Sequence, residues 1–243
     1  MILLVQTPVV SASDSLLVAY SPLVLALAIV FGYLFGSLSF AIIVAKSRGV
    51  DIRNVGSGNP GATNVKRALG KGAGNLVFAL DCLKGFIPAF WPMLFWGDES
   101  GLLGALGLAG SILGHSFPIF YGFKGGKGVA TTMGGLLALM PVVLLAGVVG
   151  WLLVFFAFRV VSVASIVFGV LLPLSAWGLQ NWKHEWAINI LGQDASGTPE
   201  LLLASLISIL ILVRHRANIS RLFRGEEFSF KNKNLSKPDL SKP

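Results

Sequence analysis

The chain has 243 residues, 54% of them hydrophobic and 12% charged, with a formal net charge of +8. A mean hydropathy of +0.77 excludes an ordinary soluble domain. The cations sit in short loops and a tail beside apolar runs, and no nucleic-acid motif accompanies them, so the basic balance points to an anionic leaflet rather than to nucleic acid. A single cysteine, Cys82, rules out an internal disulfide and a cysteine-rich metal cluster.

In chain order, no basic region precedes the first apolar stretch, which argues against a cleaved signal peptide. Residues 1–20 are expected to form an extracytoplasmic extension. Apolar runs then predict membrane spans at 22–45, 76–96, 102–121, 161–180 and 198–213, with a longer run over 129–158. That run would measure roughly 45 Å as one helix, against a hydrocarbon core of about 30 Å, and Met140-Pro141 lies where a helix would break. Charge bears on its topology. Lys46, Arg48, Arg53, Lys66, Arg67 and Lys71 cluster between the first two spans, and eight Lys or Arg follow residue 213. Segment 97–101 carries Asp98 and Glu99, and segment 181–199 has Lys183 as its one basic residue. Both basic segments fall in the cytoplasm only if 129–158 crosses as two short helices. The expected fold is therefore an all-α integral membrane protein with seven transmembrane helices, some short, and its N-terminus outside. Residues 1–228 form its single domain, and 229–243 a basic, unstructured tail.

Three polar segments interrupt the apolar sequence. The first, Val55 to Asn64, contains Gly56-Ser57-Gly58-Asn59-Pro60-Gly61, which satisfies the dinucleotide fingerprint formally, but no strand or βαβ unit surrounds it. What survives is backbone that can expose amides to an anion, with Ser57, Asn59, Thr63 and Asn64 as donors and Arg67 one helical turn on. The second, Phe123-Lys124-Gly125-Gly126-Lys127-Gly128, is not a Walker A loop, yet it feeds a helix N-terminus beginning at Val129-Ala130-Thr131, a sound phosphate cradle. The third is Arg214-His215-Arg216-Ala217-Asn218, in which His215 and Asn218 share a helical face with Arg221, and Glu227 closes the segment. Flanking lysines and a lipid-attracted basic stripe are the plain alternatives for the last two. Asp81 and Lys84, spaced i, i+3 inside a span, are either a structural ion pair or part of a site. His115 reads first as a packing residue, and Arg159, followed by Ser162 and Ser165, as a snorkelling helix end.

These motifs, in this order, resemble the bacterial acyl-phosphate-dependent glycerol-3-phosphate acyltransferases of the inner membrane. The likeness runs over about residues 30–228, through Gly36-Ser37, Val50 to Asn64, Arg67 to Gly70, Leu80 to Gly85, Gly114-His115 with Pro118, Phe123 to Thr131, Val161-Ser162 with Ser165, and His215 to Ile219 with Gly225 and Glu227. The resemblance implies seven helices with a cytoplasmic active site. It implies acyl transfer from acyl phosphate to the 1-hydroxyl of glycerol 3-phosphate, with neither a cofactor nor a metal. Ser57, Arg67, Lys127, His215 and Asn218 correspond to the residues that bind glycerol 3-phosphate, and Ser57, Lys127 and His215 are the candidates for catalysis. Gly56, Gly58, Asn59, Gly61, Thr63 and Asn64, with Lys124, Gly125, Gly126, Gly128 and Thr131, correspond to the region holding the acyl phosphate. Asp81, Lys84, His115, Ser162 and Glu227 take supporting roles. The partners implied are the two substrates, membrane lipid and, through functional coupling, the enzyme that makes acyl phosphate. A transporter of phosphorylated solutes is the rival reading, though it predicts pseudo-symmetric halves, whereas the glycine-rich segments here share one side. A lipid-binding scaffold would need the basic stripes but not the glycines.

Overall fold

A computed structural model describes residues 20–96, 101–181 and 198–230. These form ten α-helices and one 3-10 turn, with no strand among the described residues. Helix α1 (Pro22–Gly36) starts where sequence chemistry favours it: Ser21 Oγ accepts from the Val24 amide at 3.4 Å, and Pro22 occupies the first turn. The chain breaks at Ser37–Ser39, resumes as α2 (Phe40–Lys46), and crosses a polar loop to α3 (Ala62–Leu69). The long α4 (Lys71–Trp96) and α5 (Leu102–Ser116) follow, then the 3-10 turn Ile119–Tyr121. Next come α6 (Val129–Leu139), α7 (Pro141–Phe158), α8 (Val161–Asn181), α9 (Thr198–Arg214) and α10 (Arg216–Phe223).

The long apolar run does divide at Met140, since Pro141 has no amide proton with which to continue the α6 ladder. Helix α4 begins five residues before the apolar run at 76, because hydropathy marks the lipid-facing part of a helix and not its polar turns. Five segments are long and apolar enough to cross a membrane: Pro22–Lys46, Lys71–Phe95, Leu102–Tyr121, Pro141–Phe158 and Val161–Asn181. Helices α9 and α10 would make a sixth together, but they bend by 52° at His215, and α10 carries Arg216 and Arg221. We read α9 as the membrane segment and α10 as a surface helix.

Packing explains why so much glycine lies in the spans. Side chains gain little by leaving lipid for protein, so helices hold together through close van der Waals approach at small residues. Gly32 and Gly36 of α1 face Gly107 and Ser111 of α5, while Gly110 and Gly114 face Ile29 and Tyr33. A Cβ at Gly32, Gly36, Gly110 or Gly114 would collide with the backbone of the opposing helix. Helices α4 and α6 meet likewise, at Gly85 against Thr131 and Gly134 against Cys82. Leu108, Ile112, Leu136, Phe168, Leu172 and Ile211 fill the centre.

A buried ion pair sits among these contacts. Lys84 Nζ lies 2.9 Å from Asp81 Oδ1 and donates to the Leu38 carbonyl at 3.0 Å, and the Lys84 carbonyl accepts from Ser111 Oγ at 2.6 Å. Lys84 thus ties α4 to the α1–α2 break and to α5. Replacing Lys84 alone by Met should lower stability by about 3–5 kcal/mol, because Asp81 would keep a buried, unpaired charge. The paired replacement Asp81→Asn with Lys84→Met should recover most of that loss in a thermal unfolding measurement of detergent-purified protein.

Candidate active site

The loop before α3 is shaped by one buried side chain. Asn64 Oδ1 accepts from the Ser57 amide at 3.0 Å, and Nδ2 donates to the carbonyls of Ile52 at 3.1 Å and Val55 at 2.8 Å. Gly56 has φ +61°, and a Cβ there would collide with Asn64 Oδ1, so only glycine fits. Asn64 therefore folds the loop that presents Ser57, with its amide donors already engaged.

The second glycine-rich loop is held just as firmly. The amides of Gly125 and Gly126 donate to the carbonyls of Ser116 at 3.2 Å and His115 at 3.0 Å. Their own carbonyls accept from Arg214, Nη2 to Gly125 at 2.8 Å and Nε to Gly126 at 3.1 Å. Gly128, with φ +80°, caps α6 and directs the first amides of that helix off its end.

The two loops meet α7, α8 and α10 around a cavity of about 770 Å³. From the first motif, Ser57, Asn59, Gly61, Thr63, Asn64 and Arg67 line it; from the second, Lys127 and Gly128; from the third, His215, Asn218 and Glu227. Asp81, His115, Ser162 and Ser165 line it as well, with His115 Nδ1 3.8 Å from Asp81 Oδ1. Gly56, Gly58, Lys124, Gly125, Gly126, Thr131 and Lys84 are not in its wall. Lys124 is exposed, the Gly58 amide donates to Val55, and Thr131 is buried between α4 and α6. The glycines of the second loop set its path rather than face the cavity.

A chain of hydrogen bonds joins the third motif to the second. Lys127 Nζ donates to Asn218 Oδ1 at 2.5 Å, and Asn218 Nδ2 donates to Glu227 Oε1 at 2.7 Å. Ser162 Oγ also donates to Glu227 Oε1, at 2.9 Å, and Arg221 Nε donates to Oε2 at 2.8 Å. Burial draws the Lys127 amine down to about 8, with Glu227 opposing and the nearby arginines reinforcing the shift. His215 is buried, and burial followed by the Lys127 charge lowers it to about 4, which leaves a neutral imidazole at pH 7. Its Nδ1 lies 2.8 Å from the Ile211 carbonyl, which can only accept, so the proton belongs on Nδ1 and the lone pair on Nε2. Burial lowers Arg67 too, with Glu227 opposing, though arginine keeps its charge.

The same cavity has an apolar stretch of wall, Phe78, Met133, Trp151, Leu152, Phe155 and Phe156, with the Arg159 guanidinium over the last two rings. Sequence reading missed that wall, since aromatic residues of α7 cannot be told from lipid-facing ones. It also missed the clamp made by Arg214 and the place of Phe230 in the cavity wall. The position of Arg221, one turn beyond Asn218, was the legible hint of its bond to Glu227. Cations, polar side chains and an apolar stretch of wall thus share one cavity among membrane-length helices.

Comparison with known proteins specifies the class. The sequence profile of the glycerol-3-phosphate acyltransferases matches residues 26–225, and the chain belongs to that family. The glycerol-3-phosphate acyltransferase of Aquifex aeolicus is 48% identical over 202 residues, 83% of this chain and 97% of that protein. That of Hydrogenobaculum sp. is 43% identical over 202 residues, covering 83% and 95%. Among solved structures, PlsY (YgiH), an integral membrane glycerol 3-phosphate acyltransferase, matches in its glycerol 3-phosphate form. The TM-score is 0.72 at 44% identity, over 85% of this chain and 95% of that one. The lysophosphatidic acid form of PlsY matches with a TM-score of 0.70 and 43% identity over the same shares. The chain is thus an integral membrane acyltransferase.

The hydrogen bonds of Glu227 make a stability prediction. Glu227→Ala should lower stability by several kcal/mol, since charge-assisted bonds are worth about 1.5–3 kcal/mol each and buried donors would be left unpaired. Glu226→Ala should leave it within about 0.5 kcal/mol, because the Glu226–Arg224 pair is exposed. Unfolding midpoints of the two variants, compared in one detergent, check this contrast.

Proposed function

We propose that this protein moves a fatty acyl group from acyl phosphate to the 1-hydroxyl of glycerol 3-phosphate, giving lysophosphatidic acid and inorganic phosphate. The observation that carries the reading is a single cavity lined both by Arg67, Lys127, His215 and Asn218 and by a set of aromatic and aliphatic side chains. An acyl phosphate is already an activated mixed anhydride, so a positioned alcohol can attack it directly. The hydroxyl oxygen bonds to the acyl carbon, the bond from that carbon to the bridging oxygen breaks, and phosphate leaves with the electron pair. The hydroxyl proton passes to a phosphate oxygen or to His215 Nε2. The protein's task is to bring two anionic phosphates together and to steady the developing oxyanion.

Ser57, Arg67, Lys127, His215 and Asn218 hold glycerol 3-phosphate in this account. Asn59, Gly61 and Thr63 at the start of α3, with Gly128 at the start of α6, face the acyl phosphate. His215, neutral and with Nε2 free to accept, serves mainly to orient the attacking hydroxyl. Its low basicity makes it a weak proton acceptor, and Asn218 beside it cannot be one at all.

The cavity also supports the topology. Arg67 precedes the second span and His215 follows the last, yet both line one cavity, so the two basic segments share a side. By the positive-inside rule we read that side as cytoplasmic, at a bacterial inner membrane, with seven crossings that include α6 and α9. Helix α6 has 11 residues, roughly 16 Å, and would cross only where its neighbours cover its ends.

The deciding experiment supplies purified protein with glycerol 3-phosphate and either acyl phosphate or acyl coenzyme A of equal chain length. Lysophosphatidic acid and phosphate should form from acyl phosphate, and product from acyl coenzyme A alone would overturn the donor assignment.

A pH dependence follows from Lys127. An amine that titrates near 8 is charged below that pH and neutral above it. The value of kcat/KM for glycerol 3-phosphate should therefore fall as pH rises through about 8, and Lys127→Arg should flatten that alkaline limb wherever it stays active. Initial rates at low substrate between pH 6.5 and pH 9.5 read this directly.

A further inference from the structure

Arg67 is held differently from Lys127 and Arg221, though much as Arg159 is, whose guanidinium lies over the Phe155 and Phe156 rings. Lys127 and Arg221 donate to side-chain acceptors. The Arg67 guanidinium makes no hydrogen bond or ion pair among the described residues, and aromatic rings hold it instead. Its central carbon lies 4.9 Å from the centre of the Phe228 ring and 5.3 Å from that of Phe230. Both rings belong to a short strap after α10 that lies beyond the stretch matched by the family profile. The strap begins at Gly225 and is anchored by the buried Glu227. It ends where the Phe230 amide donates to the Arg159 carbonyl at 2.9 Å and the Phe230 ring meets Phe155 edge-on at 6.1 Å. It therefore crosses from α10 to the α7–α8 junction, and Phe230 joins the cavity wall on the way.

The choice of aromatic partners has a chemical consequence. A carboxylate would engage two guanidinium donors in the plane of the group and cancel its charge. A ring face attracts the cation from above the plane, leaving all five in-plane N–H donors available and the charge intact. Restricting the long arginine side chain beforehand also removes part of the entropy lost on binding.

We propose that Phe228 and Phe230 are positioning residues that hold Arg67 as a preformed receptor for the phosphate of glycerol 3-phosphate. This rests on Arg67 being a phosphate ligand in the proposed reaction. The strap residues do not touch the reacting atoms, so they act on affinity.

The test compares Phe228→Leu, Phe230→Leu and Arg67→Ala, each alone and with the leucine variants placed in the Arg67→Ala background. The leucine variants should raise the KM for glycerol 3-phosphate by roughly 2- to 30-fold with kcat changed less than about twofold. Tyrosine at either position should restore the wild-type KM. In the Arg67→Ala background Phe230→Leu should add nothing, because the group it positions is gone, and Phe228→Leu should add less than it does alone, since Phe228 also faces Arg221 at 5.7 Å. A KM unmoved by both leucine variants, or a leucine effect of equal size with and without Arg67, overturns the proposal. An unchanged KM in Arg67→Ala overturns the phosphate assignment itself and the proposal with it. Where a leucine variant fails to fold, stepwise ring fluorination of the same phenylalanine keeps its shape while weakening the ring's negative face. KM should then climb with each fluorine, and a flat series refutes the positioning role.

Discussion

The buried carboxylate of Glu227 is the interaction on which the site depends. It accepts from Asn218, Ser162 and Arg221 at once, and through Asn218 it reaches Lys127. Those partners come from α8, α10 and the loop before α6, so one side chain joins parts of the chain that are far apart in sequence. It is also the anion that opposes mutual repulsion among Lys127, Arg67 and Arg221. Such a cluster without its counter-charge would repel itself strongly at the low dielectric of a half-buried cavity. With Glu227 at its edge, the cluster keeps an excess of positive charge for anionic ligands while remaining compact.

The two glycine-rich loops do different work from what glycine-rich loops usually suggest. Their glycines let backbone fold into tight paths, but Asn64 and Arg214 then hold those paths from outside. What faces the cavity is mainly the neighbouring side chains, Ser57 and Lys127, and the starts of α3 and α6. The loops resemble clasps more than cradles. Such firmly tied loops suit the proposed reaction, in which two charged groups are held at a fixed separation and the substrate alcohol is the nucleophile.

The membrane-embedded part obeys a separate constraint. Its helices approach through Gly32, Gly36, Gly107, Gly110 and Gly114 because lipid removes the hydrophobic incentive for larger side chains to interlock. Close backbone contact between α1 and α5, and between α4 and α6, then places Asp81, Lys84 and His115 in protein rather than in lipid. Lys84 finds Asp81 and the free Leu38 carbonyl at the α1–α2 break, so a costly charge at membrane depth becomes a tie between helices.

Much of this was legible in the chain itself. Apolar run lengths located the long helices within a few residues, and Met140-Pro141 divided the run over 129–158, because hydropathy and proline geometry act locally. The polar motifs contain Ser57, Arg67, Lys127, His215 and Asn218, the family resemblance singled them out as a set, and all five line the cavity. Their chemistry is written in residue type and short spacing. Tertiary structure alone decided which of the glycine-rich residues face the cavity, since backbone amides can be satisfied by partners far along the chain, as Gly125 and Gly126 are by Ser116 and His115. It also decided that Trp151 and Phe155 form an apolar wall and that Phe228 and Phe230 pack on Arg67 from beyond the stretch matched by the family profile. An aromatic residue carries no mark of whether its neighbour will be lipid, substrate or guanidinium; only the folded chain settles that.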